Sequence, residues 1–137
     1  PDLVVSLLLH DIAEDSHILD LEDIRLIWRD RVAKIVATLT KPEVDGERFV
    51  SEESRDHFYH DSIADADADA IICKLADQLH NLRTLGECSQ EKQERKVAEM
   101  QTYYVPLIKK VGESYPRVAE KLQSLFDKAL SELIGTW

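Results

Sequence analysis

The sequence predicts an all-α fold, a single-domain helical bundle spanning residues 1–137, and three observations predict it. Glycine and proline number four each, so there are few places where a helix is forced to stop. Apolar residues recur at spacings of three and four, the period of a helix that buries one face. No segment alternates apolar and polar residues as a half-buried strand would, and no internal repeat or low-complexity tract is present. A chain of 137 residues suits one domain with one sizeable core.

The first helix is predicted over residues 1–14, with Pro1 a good first-turn residue and a stripe of Leu3, Leu7 and Leu8 beside Val4. Asp20 has the character of an N-cap, with Asp23 three residues on in place of the usual Glu. Ile24, Ile27, Ile35, Val36 and Leu39 follow, in one helix or in two joined near residues 29–31. Residues 41–48, containing Pro42 and Gly46, form the clearest loop. Ser51 or Ser54 caps the next helix, which carries Phe58, Tyr59 and Ile63. A helix over 67–85 is expected to end at Gly86 as its C-cap. One long helix then covers 90–111 and a last one 116–134.

Composition narrows the function. Apolar residues make up 44% and charged residues 32%, an ordinary balance for a globular protein. No apolar run approaches the ~20 residues that span a bilayer, and the apolar stretch Leu3–Leu9 lacks the basic flank of a signal peptide. Cys73 and Cys88 are too few and too isolated for a disulfide framework or a thiolate zinc site, so a reducing cytoplasm is expected. The net charge of −10 argues against a partner such as duplex nucleic acid, which demands clustered Lys and Arg. A small phosphorylated partner stays compatible, because a bound cation can supply local positive charge. The chain starts at Pro1 rather than Met and is read as a fragment, or as a chain lacking its first segment.

Two clusters carry chemistry. His10, Asp11, Glu14 and Asp15 close the first predicted helix; His10 and Glu14 are one turn apart, as are Asp11 and Asp15. Three carboxylates so close repel each other unless something positive sits among them or water screens them. Either a divalent metal or a hydrated helix end answers that pattern. In the second cluster, Ile72, Leu75, Leu79 and Leu82 form a core-facing stripe. Asp77, Asn81 and Thr84 stand opposite it at i, i+4 and i+7, with Cys73 just before them. Short polar side chains suit a face that a ligand must approach closely, where a solvated face would carry long Lys and Glu. Other patterns carry bland readings. His60-Asp61 lacks acidic partners at helical spacing. Asp65, Asp67 and Asp69 are followed by Ala70 and Ala76 where a calcium loop needs Gly and Glu, so they mark an acidic helix start. Trp28, Tyr103, Tyr104, Phe126 and Trp137 are scattered core or surface aromatics, and Cys73 fits a small buried thiol.

The pair LLHDIAEDS and KLADQLHNLRTL resembles the two signature helices of the RelA/SpoT-type (p)ppGpp hydrolase domain within the HD superfamily. LEDIRLIWRDRVAKIVATLTKP resembles the intervening helix pair that ends in a Leu-Thr-Lys element, and EKQERKVAEMQTYYVPLIKKVG resembles the helix after the second signature. Together these cover residues 1–112. The resemblance implies metal ligation by His10, Asp11 and Asp77, with Mn²⁺ or another divalent metal as cofactor and a further histidine from a preceding helix. It implies that Glu14 and Asp15 orient the attacking water and handle protons. Asn81 and Thr84 would touch the nucleoside, with Arg83 supporting nearby. The implied reaction removes the 3′-pyrophosphate of ppGpp or pppGpp, a small nucleotide substrate, giving GDP or GTP and pyrophosphate. Two departures stand out. The upstream histidine and a basic segment before it are absent from this chain, and His17, His57, His60 and His80 do not replace that ligand. Gln78 stands where the family usually has Arg. The alternatives are an HD phosphohydrolase of another nucleotide or phosphoester, or a nucleotide-binding HD module without turnover. Oligomeric state is not fixed by the sequence.

Overall fold

The computed structural model describes residues 30–44 and 48–137. The chain divides into two compact units, Pro1–Cys73 and Lys74–Trp137. Every regular element among the described residues is helical, in agreement with the all-α expectation. The helix expected over 1–14, the Asp20 cap and Gly46 lie outside the described residues.

In the first unit, α1 (Asp30–Leu39) buries Val32, Ala33, Ile35, Val36 and Leu39. Three of these are β-branched, which costs a few tenths of a kcal/mol each in helix propensity. Burial of a Val, Ile or Leu side chain contributes about 1.5–3 kcal/mol, so packing wins. The phenol of Tyr59 donates to the Leu39 carbonyl at 2.7 Å, satisfying one of the carbonyls orphaned at the end of α1.

α2 (Glu52–Ala64) starts at Ser51, which settles the choice of cap: the Ser51 hydroxyl accepts from the Ser54 N–H at 3.1 Å. Only Tyr59 and Ile63 are buried on this helix, and Phe58 is exposed. Phe58 packs instead against Phe49 with ring centroids 5.2 Å apart, and the Arg48 guanidinium lies 5.2 and 5.0 Å from the two ring centroids. Asp56 accepts from Lys41 at 2.7 Å and Arg55 at 3.0 Å, tying the loop to α2. Partial burial pushes that carboxyl upward, but the two cations outweigh it and hold it below the ordinary carboxylate value.

α3 (Ala68–Thr84) crosses the boundary between the units. Asp67 caps it, its carboxylate accepting from the Ala70 N–H at 2.9 Å, and Asp69 is paired with Arg31. The acidic run is therefore a helix start, as its bland reading held. Ile35, Leu39, Ala70 and Cys73 form a buried cluster against which Ala66 packs.

The second unit opens within α3, at Lys74, and α3 passes into a 3₁₀ turn, Leu85–Glu87. Gly86 sits inside this turn and does not cap the helix, which corrects the expected C-cap. Thr84 ends the helix by donating its hydroxyl to the Asn81 carbonyl at 3.1 Å. α4 (Gln90–Glu99) is capped by Ser89. The single helix expected over 90–111 is broken: a π turn, Met100–Tyr104, and a 3₁₀ turn, Val105–Leu107, precede α5 (Ile108–Ser114). Pro106 explains the break, having no N–H to donate to the preceding turn and a ring that crowds it. The Val105 N–H accordingly donates five residues back, to the Met100 carbonyl. α6 (Pro116–Ile134) buries Leu122, Phe126, Ala129, Leu130 and Leu133 and packs against α5. A Cβ at Gly112 would stand 3.4 Å from the Ala119 Cβ, an ordinary contact between α5 and α6. Among the described residues, no helix is long and apolar enough to cross a membrane.

Candidate active site

The helix that carries the second chemical cluster is α3, whose register decides which residues face inward. Ile71, Leu75 and Leu82 are almost fully buried and Leu79 is buried, while Ile72 is only half-buried. The core stripe thus begins at Ile71 and not at Ile72. Lys74 and Gln78, at i and i+4, are also buried, a widening of the inward face that their residue types did not suggest.

Asp77 lies half-buried between these two. Its Oδ2 is 3.5 Å from both the Lys74 Nζ and the Gln78 Nε2. The Lys74 ammonium also lies 5.8 Å from the centroid of the Tyr104 ring, which the break near Pro106 helps to place. A buried ammonium needs such company, a carboxylate on one side and an aromatic face on the other.

One and two turns beyond Asp77, Asn81 and Thr84 line a cleft of about 250 Å³. Its walls also include Gln78, Leu85, Cys88 and Met100, and Lys92 and Lys96 reach it from α4. The structure therefore brings Asn81 and Thr84 together as the spacing suggested and adds two lysines that the sequence reading missed. Lys92 and Lys96 are one turn apart on α4, and that spacing was the available signal. Lys96 also pairs with Glu99 at 2.9 Å. Arg83 is exposed and stands outside this lining.

The turn between α3 and α4 is fixed by Gln93, a buried side chain. Its amide nitrogen donates to the Cys88 carbonyl at 2.8 Å and the Gly86 carbonyl at 3.2 Å. Its amide oxygen accepts from the Trp137 indole N–H at 2.9 Å. Gln93 is thus a fastener for one wall of the cleft.

His10, Asp11, Glu14 and Asp15 lie outside the described residues. Among the described residues, no group of three or more His, Cys, Asp or Glu side chains is placed to hold a metal. Asp77 supplies one oxygen donor of the type that suits a hard divalent cation. His57 pairs with Asp61 at 3.5 Å on an exposed face, and His60 lies with its ring centroid 6.1 Å from that of Tyr59, which leaves His60-Asp61 a surface and packing feature. Cys73 is buried, and that burial, aided by the Asp69 and Asp67 carboxylates, pushes its thiol up to about 11.

Comparisons with known proteins show the chain's family. The chain is 35% identical over 105 residues to a Synechocystis protein named probable guanosine-3′,5′-bis(diphosphate) 3′-pyrophosphohydrolase, an alignment covering 76% of the chain and 14% of that protein. It is 35% identical over 116 residues to a Myxococcus xanthus GTP pyrophosphokinase, covering 82% of the chain and 15% of the relative. It is 30% identical over 112 residues to the Escherichia coli bifunctional (p)ppGpp synthase/hydrolase SpoT, covering 81% of the chain and 16% of the relative. The chain thus spans only about a seventh of the length of these relatives. No solved structure matches it. Residues 1–113 match the family model described as HD domain, and the chain belongs to that family.

Proposed function

We propose that this chain is the hydrolase part of a metal-dependent enzyme that removes the 3′-pyrophosphate from ppGpp or pppGpp. The observation that carries the reading is the cleft in which Asn81 and Thr84 meet Lys92 and Lys96, one turn along α3 from Asp77. An amide and a hydroxyl suit the hydrogen-bonding edge of a nucleoside, and two ammonium groups suit its phosphates. The similarity to relatives named as guanosine polyphosphate hydrolases supports the choice of substrate.

In this reading, His10, Asp11 and Asp77 would be ligands of a divalent cation, Mn²⁺ or another, as the family resemblance implies. When bound, the cation supplies Lewis-acid chemistry at the phosphate oxygens and at the attacking water. Glu14 and Asp15 orient that water and take up its proton. Asn81 and Thr84 hold the nucleoside, and Arg83 supports it from the adjoining surface. Lys74 and Gln78 keep the Asp77 carboxylate in place. The enzyme works in a reducing cytoplasm, which suits its two free thiols.

Gln78 favours a second reading. It lines the cleft as a neutral amide where the resembled family carries a cation, and that suits a nucleotide or phosphoester with fewer phosphates. A panel of nucleotides tested on one preparation separates the two readings.

The complete natural protein, incubated with Mn²⁺ and ppGpp, is expected to release pyrophosphate between about pH 6 and pH 9. Asp77→Ala should lose bound metal, measured by elemental analysis, while keeping its helical circular dichroism. Glu14→Gln should keep the metal and lose turnover. Lys92→Gln should raise KM about tenfold with kcat little changed, as expected when a uniform binding contact is removed. Absence of pyrophosphate release by the complete, metal-loaded protein would sink the reading.

A further inference from the structure

We propose that Trp137, acting through Gln93, is a positioning residue for ligand binding in the cleft lined by Asn81 and Thr84. The inference rests on the reading in which that cleft receives the nucleotide, and it brings a residue of the turn after α6 into the site's design. The two side chains are 44 positions apart in sequence, and both belong to the second unit.

The amide of Gln93 is buried and used at both ends. Its nitrogen carries two N–H groups and meets two carbonyls, that of Cys88 at 2.8 Å and that of Gly86 at 3.2 Å. Its oxygen accepts from the Trp137 indole at 2.9 Å. An indole N–H only donates, so it dictates which end of the amide faces the turn. With the ends exchanged, two donors would meet at Trp137 and the two carbonyls would face an oxygen. Donation to the amide oxygen also polarises the N–H groups that hold the carbonyls, so the bonds reinforce one another.

Trp137 is delivered by α6. Beyond Ile134 the chain winds on, the Thr136 N–H donating to the Leu133 carbonyl at 3.0 Å and the Trp137 N–H to the Ile134 carbonyl at 3.1 Å. What the Gln93 amide holds is the connection that leads into α4. Cys88 lines the cleft directly, Ser89 caps α4, and Lys92 and Lys96 enter from the first two turns of that helix. A shift of the connection therefore carries both ammonium groups with it, whereas Asp77 and Asn81 lie on α3, ahead of the connection. Loss of the indole N–H should weaken binding and spare the chemical step.

The test compares four forms of the complete natural protein: wild type, Trp137→Phe, Gln93→Met and a structural control, Phe126→Leu. The control trims a fully buried α6 side chain that takes no part in this hydrogen-bonded chain. Pyrophosphate release from ppGpp gives KM and kcat. Alkylation of Cys88 by iodoacetamide, read by peptide mass, reports on the wall with no nucleotide present, and buried Cys73 is the internal reference. Trp137→Phe is expected to raise KM about threefold to tenfold, to keep kcat within about twofold and to speed Cys88 alkylation about threefold or more. Gln93→Met should act in the same direction and more strongly. Phe126→Leu should lower the thermal midpoint and leave KM and the alkylation rate as in wild type. The proposal is overturned if Trp137→Phe keeps either the wild-type KM or the wild-type alkylation rate, or if Phe126→Leu changes both as much. If wild type itself releases no pyrophosphate, the substrate reading fails instead, and the Cys88 rates alone support or overturn the role of Trp137.

Discussion

Burying a lysine ammonium costs several kcal/mol unless neighbours compensate, and Lys74 has Asp77 and the Tyr104 ring to do so. Cys73, one position earlier, meets burial differently and simply keeps its proton. Because its thiol stays protonated up to about 11 in the fold, the unfolded chain ionises first as pH rises. Stability from this group is therefore complete below about pH 8.5 and declines toward pH 11, by up to about 1.4 kcal/mol per pH unit. Cys73→Ala should flatten that decline in denaturant titrations run at pH 8 to 11; an unchanged slope would show that other groups dominate. Asn81 and Thr84 were legible in the sequence because a helix puts residues three apart on one face. Lys74 was not, since lysine reads as solvated unless its tertiary neighbours are known. Lys92 and Lys96 were hidden for a related reason: Gly86 marked the turn, but the Gln93 bonds that set its path to the cleft are tertiary.

Among the elements, α2 shows how little a helix needs when its start is well made. It buries only Tyr59 and Ile63, and the Ser51 cap with Glu52 and Glu53 in the first turn compensates for a thin apolar face. Ser51→Ala should cost about 1 kcal/mol in denaturant unfolding, whereas Ser54→Ala, which leaves the cap oxygen in place, should cost less. Equal losses would mean that the Ser51–Ser54 hydroxyl contact matters more than the cap. The starts of α2, α3, α4 and α6 were legible because caps and periodicity are local signals. The break at Met100–Leu107 was less so. Pro106 flagged a disturbance, but the form it takes, a π turn followed by a 3₁₀ turn, depends on how Tyr104 and Ile108 are both kept buried.

For the whole molecule, the excess of acidic over basic residues sets two opposing responses to salt. Raising ionic strength from about 0.01 M to about 1 M shortens the screening length from about 30 Å to about 3 Å. Self-repulsion within an acidic fold then weakens, so the thermal midpoint should rise. Anionic ligands drawn by Lys92 and Lys96 should bind less tightly over the same range. Parallel thermal scans and binding isotherms check this, and a midpoint that fell with salt would contradict it. The HD assignment was legible from two short signatures far apart in the chain, because each is a contiguous run of residues. Trp137 adds an optical consequence. Its indole is hydrogen-bonded to Gln93, the amide that also holds Gly86 and Cys88, so its fluorescence colour and intensity offer a native, label-free gauge of whether that wall is latched.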